Sequence, residues 1–131
     1  MEKNINLGEK TVKLKATGAL PRVYRIIFNR DIFKDMAPIL QRYQNISVNG
    51  DADLNLLEQL GDHDLEILEN LTYAMARAAD PDIQQLSPLE WLDQFSYRET
   101  AALQQEAVLL WVMDNYTIDN PKKKLDLPNV T

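Results

Sequence analysis

The chain is predicted to be a mainly α fold: a short amino-terminal β-hairpin, a compact bundle of about five helices, and a flexible carboxy-terminal tail. Three observations predict it. Residues 4 to 16 alternate with period two, one-sided apolar stripes of helical period run from Leu20 onward, and two capping boxes stand close together at Ser87 and Ser96. With 131 residues and 45% apolar side chains, the length suits one domain, placed at 1–116, with residues 117–131 as the tail.

In the hairpin, Ile5 and Leu7 share one direction, Gly8-Glu9 supplies the turn, and Val12, Leu14 and Ala16 share a face away from Lys13 and Lys15. Two strands are marginal in water, so this ribbon must lie on helices, on a partner's sheet or on copies of itself. Leu20, Val23, Tyr24, Ile27 and Phe28 then fall at i, i+3, i+4, i+7 and i+8, with Arg22 and Arg25 opposite and Pro21 tolerated in the first turn. Asn29-Arg30 breaks that helix. Asp31 can cap the next, whose apolar positions are Ile32, Phe33, Met36, Leu40 and Tyr43, and Pro38 is expected to kink or split it.

Residues 44–61 admit two readings. Asn49-Gly50 suits a hairpin turn, whereas Asp51 suits a cap for a short helix carrying Leu54, Leu57 and Leu60 and closed by Gly61. The polar residues Asn55, Glu58 and Gln59 favour the helix. From Asp62 the signal strengthens: Leu65, Leu68, Leu71, Met75 and Ala78 form a narrow stripe that Asp80-Pro81 terminates. Ser87-Pro88-Leu89-Glu90 opens a short helix through Phe95, and Ser96-Tyr97-Arg98-Glu99 opens a long one to about Asn115, with a sharp corner at Ser96 between them. After Tyr116 periodicity disappears.

Composition narrows the chemistry. With no cysteine, disulfides, thiol catalysis and Cys-ligated zinc or iron–sulfur sites are excluded. A net charge of -6 argues against nucleic acid as a partner. Met1-Glu2-Lys3-Asn4 does not resemble a signal peptide, and the longest apolar run, Ala107 to Met113, is too short to span a membrane. A cytoplasmic location is therefore expected, and the sequons at Asn45, Asn70, Asn115 and Asn129 read as chance matches.

No catalytic, cofactor-binding or metal constellation stands out. His63 in Asp62-His63-Asp64 reads as part of an acidic first turn favourable to the helix dipole. Asp51, Asp53 and Asn55 start like a calcium loop, but Leu56 occupies the sixth position, which needs glycine, and Asp62 the twelfth, which needs glutamate. The pairs Glu66 with Glu69 and Glu90 with Asp93 fall on polar helix faces, and no nucleophile elbow or phosphate loop is present. A binding role, not catalysis, is expected. The apolar block around Trp111 has two readings, a helix surrounded by the others or a partner groove anchored by Trp111. In the second, Leu109, Trp111, Val112 and Met113 are the candidate partner-binding residues, joined by Trp91 and Phe95.

Arg30-Asp31-Ile32-Phe33-Lys34-Asp35, Leu65-Glu66-Ile67-Leu68-Glu69-Asn70, Tyr73-Ala74-Met75-Ala76, Ala79-Asp80-Pro81, Glu90-Trp91-Leu92-Asp93-Gln94-Phe95, Leu110-Trp111 and Lys122-Lys123-Lys124 follow one another in an order that resembles the tail assembly chaperones of long-tailed phages and prophages of Gram-positive bacteria. The likeness spans roughly residues 10 to 125. It implies a non-catalytic protein without cofactors. Such a protein holds the tape measure protein during tail morphogenesis in the host cytoplasm, helps recruit major tail tube subunits, and is absent from the mature virion. A homo-oligomer is expected on the reading that makes the apolar block around Trp111 a self-association surface. The family is often made in two lengths by a programmed ribosomal frameshift, and Lys122, Lys123 and Lys124 would suit the slippery site. The alternative is a generic helical adaptor or inhibitor from a prophage or bacterial operon.

Overall fold

The computed structural model describes residues 1–48 and 60–116. Strands β1 (Glu2–Asn6) and β2 (Thr11–Lys15) form an antiparallel hairpin with Ile5 opposite Val12 and Lys3 opposite Leu14. The chain reverses at Gly8, whose φ of 87° lies in the left-handed region, with the Leu7 N–H donating to the Lys10 carbonyl at 2.8 Å. A Cβ on Gly8 would meet nothing within 4 Å, so the demand there is conformational rather than steric. Gly8→Ala is expected to cost about 1 kcal/mol, read as a lowered urea midpoint with unchanged slope.

Directly opposed residues share a face, so Ile5, Val12, Lys3 and Leu14 stand on the side of the ribbon that meets the helices, with Ile5 and Leu14 buried and Lys3 half-exposed at its edge. Of the three supports open to the ribbon, it takes helices. β2 packs on helix α3 (Asp62–Ala79) and β1 on helix α5 (Tyr97–Tyr116), where Lys3 forms an ion pair with Glu106.

Helix α1 (Leu20–Phe28) buries Leu20 and Tyr24 and ends at Asn29, a left-handed residue whose N–H reaches the Arg25 carbonyl at 2.8 Å. Asp31 caps helix α2 (Ile32–Val48) as predicted, its Oδ1 accepting from the Phe33 N–H at 2.9 Å and the Lys34 N–H at 3.4 Å. The expected split at Pro38 does not occur, because α2 runs through it and past Tyr43. Pro38 is exposed, and the carbonyl it deprives of a donor belongs to Lys34 on that same wet side. The readings of residues 49–59, the calcium-loop comparison among them, and of the tail at 117–131 lie outside the described residues.

Gly61 stands at the amino-terminal cap of α3, and the Asp64 carboxylate pairs with Arg42 of α2 at 3.0 Å. After α3, Pro81–Gln85 make a 3-10 turn, capped by Asp80 and not anticipated from sequence. Helix α4 (Pro88–Leu92) follows, shorter than predicted, with a tight turn covering Asp93 to Phe95. Both capping boxes are present: Ser87 and Glu90 exchange bonds of 2.9 and 3.2 Å, Ser96 and Glu99 bonds of 2.8 and 3.1 Å. These backbone donors hold the Glu90 and Glu99 carboxyls below the ordinary carboxylate range.

The narrow stripe expected on α3 is too small a description. Leu71 through Met75 and Ala76 are six consecutive buried residues, so this half of the helix is wrapped on every side, by β2, α1, α4, the 3-10 turn and α5. Thr72, Ala74 and Ala76 make that enclosure feasible. Two are too small to hold neighbours off, and the Thr72 hydroxyl satisfies itself on the Leu68 carbonyl at 2.6 Å.

Candidate partner-binding surface

Burial sorts the residues proposed for partner binding. Trp111 is 1% exposed, and Trp91 and Val112 are buried with it in the core. As docking anchors these three are corrected: α5 turns Trp111 and Val112, and α4 turns Trp91, onto the other elements of the fold, which leaves them no face for another chain. Leu109 and Phe95 are part-buried, and Met113 is 50% exposed, so of the six it alone presents a large surface. Lys122, Lys123 and Lys124 lie outside the described residues.

Trp91 sits in a run of aromatic contacts crossing the core. Tyr24 meets Phe28 at 5.0 Å between ring centroids, Phe28 meets Tyr73 at 6.3 Å, Tyr73 meets Trp91 at 6.1 Å, and Trp91 meets Phe95 at 5.1 Å. The separations and tilts suit edge-to-face packing. The Tyr73 hydroxyl also donates to the Leu86 carbonyl at 2.6 Å, tying α3 to the loop before α4. At the far end Lys10 Nζ lies 5.4 Å from the Phe95 ring centroid and donates to the Gln94 carbonyl at 2.7 Å, with Glu99 Oε1 at 3.4 Å. That clamp closes one side of a cleft of about 610 Å³ between β2, the 3-10 turn and α4.

The large apolar residues left open are elsewhere. Leu89 and Tyr97 project at the α4–α5 corner beside Glu69 and Asp93. Burial, followed by the nearby Glu66 charge, raises the Glu69 carboxyl. Ile26, 70% exposed, and Phe33, 47% exposed, flank a groove of about 550 Å³ between α1 and the start of α2, with Pro21, Arg22, Arg25, Asp31 and Ile32 completing its lining. The inner side of Phe33 lies against Trp111, ring centroids 5.4 Å apart.

The corner carrying this groove is braced from within. Arg30 donates to Asp35 through Nε and Nη2, both at 2.8 Å, and the buried Tyr24 hydroxyl donates to the same carboxylate at 2.8 Å. Burial pushes the Asp35 carboxyl upward, but the Arg30 fork and the Tyr24 hydroxyl outweigh it and hold the group below its ordinary value. Burial and then Asp35 keep the Tyr24 phenol far above its usual range.

Sequence reasoning placed Arg22 and Arg25 on the polar side of α1 but passed over Ile26, which falls outside the buried stripe and beside them. A large apolar residue on the charged face was the available signal. Phe33 falls among the apolar positions of α2, and helical period does not set it apart from the buried ones.

Among the described residues no group of three or more His, Asp or Glu side chains gathers as a metal site, and no helix is long and apolar enough to cross a membrane. No protein-family model, curated protein or solved structure matches this chain.

Proposed function

We propose that this protein is a phage tail assembly chaperone, a non-catalytic holder of the tape measure protein that works in the host cytoplasm and helps bring tail tube subunits to it. The reading comes from the ordered motifs between Arg30 and Lys124. The observation that carries it to a mechanism is the set of large apolar side chains, Ile26, Phe33, Leu89, Tyr97 and Met113, left open on a helical framework. A chain that binds long amphipathic helices needs such surface, and an acidic balance opposes its aggregation while vacant.

The test is co-expression with the tape measure protein encoded in the same cluster. Retention of that protein on the tagged chain, and its aggregation without the chain, is the expected result. A tape measure protein that stays soluble alone and never co-purifies overturns the proposal. Gene order separates the runner-up, a generic helical adaptor or inhibitor: a tail tube gene upstream and a tape measure gene downstream belong only to the chaperone.

A further inference from the structure

The α1–α2 groove differs in sign from the protein around it. The chain carries a net charge of -6, yet α1 contains Arg22 and Arg25 and no acidic residue. Both arginines are exposed, and neither pairs with a carboxylate among the described residues. The one carboxylate in the lining, Asp31, already accepts from the Phe33 and Lys34 backbone N–H groups. Arg22, Arg25 and Ile26 fall at i, i+3 and i+4, so cation and apolar side chain share one face of the helix. Phe33 supplies the opposite wall.

The lining decides the form of an occupant. It comes from two helices and offers no strand edge to receive an extended segment, so its side chains, not its backbone, face an occupant. An amphipathic helix, which bonds its own backbone and presents side chains on one face, suits those walls. The length of α1, nine residues or about 13 Å, accommodates two to three turns of it.

We propose that this groove docks an acidic amphipathic helix of a partner protein, its apolar residues against Ile26 and Phe33 and its flanking carboxylates against Arg22 and Arg25. The proposal rests on the partner-binding reading above and assigns it a face and a ligand chemistry. Phe33 is then the contact between partner and core: its outer side meets the incoming helix, its inner side Trp111.

The probes are two designed peptides of about three turns with the same leucine stripe at i, i+3, i+4 and i+7, one flanked by glutamates and the other by lysines. The glutamate peptide is expected to bind with backbone NMR shifts centred on Ile26 and Phe33 and a change in Trp111 emission in a Trp91→Phe background, and the lysine peptide to bind about tenfold more weakly. Arg22→Glu with Arg25→Glu should invert that preference. Ile26→Asp should abolish binding while melting like the parent, since the side chain is 70% exposed. Equal affinity for the two peptides, no binding of either, shifts centred elsewhere, or an unchanged preference in the charge-reversed variant overturns the proposal. Self-association of the parent lost in Ile26→Asp also overturns it, by making a second copy the occupant. If Ile26→Asp retains the tape measure protein as the parent does, this face is wrong and the chaperone reading stands. If the parent binds the glutamate peptide but ignores the tape measure protein, the reverse holds.

Discussion

Trp111→Asp is expected to abolish the folded state: no helical far-UV signal at room temperature and no cooperative melting transition. Truncating a buried tryptophan to alanine typically costs about 3–5 kcal/mol, and an unpaired carboxylate in its place adds several more. Those terms together approach the whole stability of a domain this size, about 5–15 kcal/mol. Near-complete burial of the side chain makes this a folding defect rather than a binding defect. Trp111→Phe is the informative companion. The indole Nε1 is buried and has no hydrogen-bond partner among the described residues, so phenylalanine removes that donor while keeping a ring against Phe33. Its cost should be well under that of truncation, about 1–2 kcal/mol in urea unfolding. A Trp111→Asp protein that retained its helical signal and melted cooperatively would show that the core does not depend on this residue.

Asp35→Ala is expected to cost about 2–3 kcal/mol. The change strips the buried Tyr24 hydroxyl of its acceptor and the Arg30 guanidinium of both its bonds. The figure sits below that for a fully buried pair because the Arg30 side chain is 47% exposed and water recovers part of its share. The acid limb carries a second signature. The folded-state value of Asp35 is depressed, so its contribution is fully present above the unfolded carboxylate value of about 3.9 and is lost as pH falls through the lower folded value. Asp35→Asn should therefore be less stable than the parent at neutral pH, with the gap narrowing below about pH 4. Urea midpoints at neutral pH and near pH 3 decide it, and a gap of constant size would remove the carboxylate from the account.

The legible parts of this fold were those set by local chemistry. Ser87 with Glu90, Ser96 with Glu99, the Asp31 cap and the Gly8 reversal each announce themselves within four residues, and each is where the motif puts it. What escaped was decided by neighbours far along the chain. Leu71 to Ala76 reads as an amphipathic stripe when only helical period is counted, and only the arrival of β2, α1 and α5 buries its remaining sides. The helix around Trp111 was expected either at the centre or at an interface, and period alone does not separate the two. Burial assigns Trp111 to the interior and leaves Ile26 and Phe33 outside, on elements whose patterns had been read as core.

The clamp at Lys10 has a consequence for biosynthesis. Its bonds to Gln94 and Glu99 span 84 and 89 positions, and Lys3 reaches still further to Glu106. A ribosome therefore releases Lys3 and Lys10 long before the residues they grip exist. Leu14 of β2 can settle on α3 once that helix is out, but until α5 clears the exit tunnel the β1 side of the ribbon lacks its support, and nascent products halted earlier offer Ile5 to chaperones and proteases. Closure of the ribbon's β1 side is thus a late event in synthesis, timed by the emergence of α5.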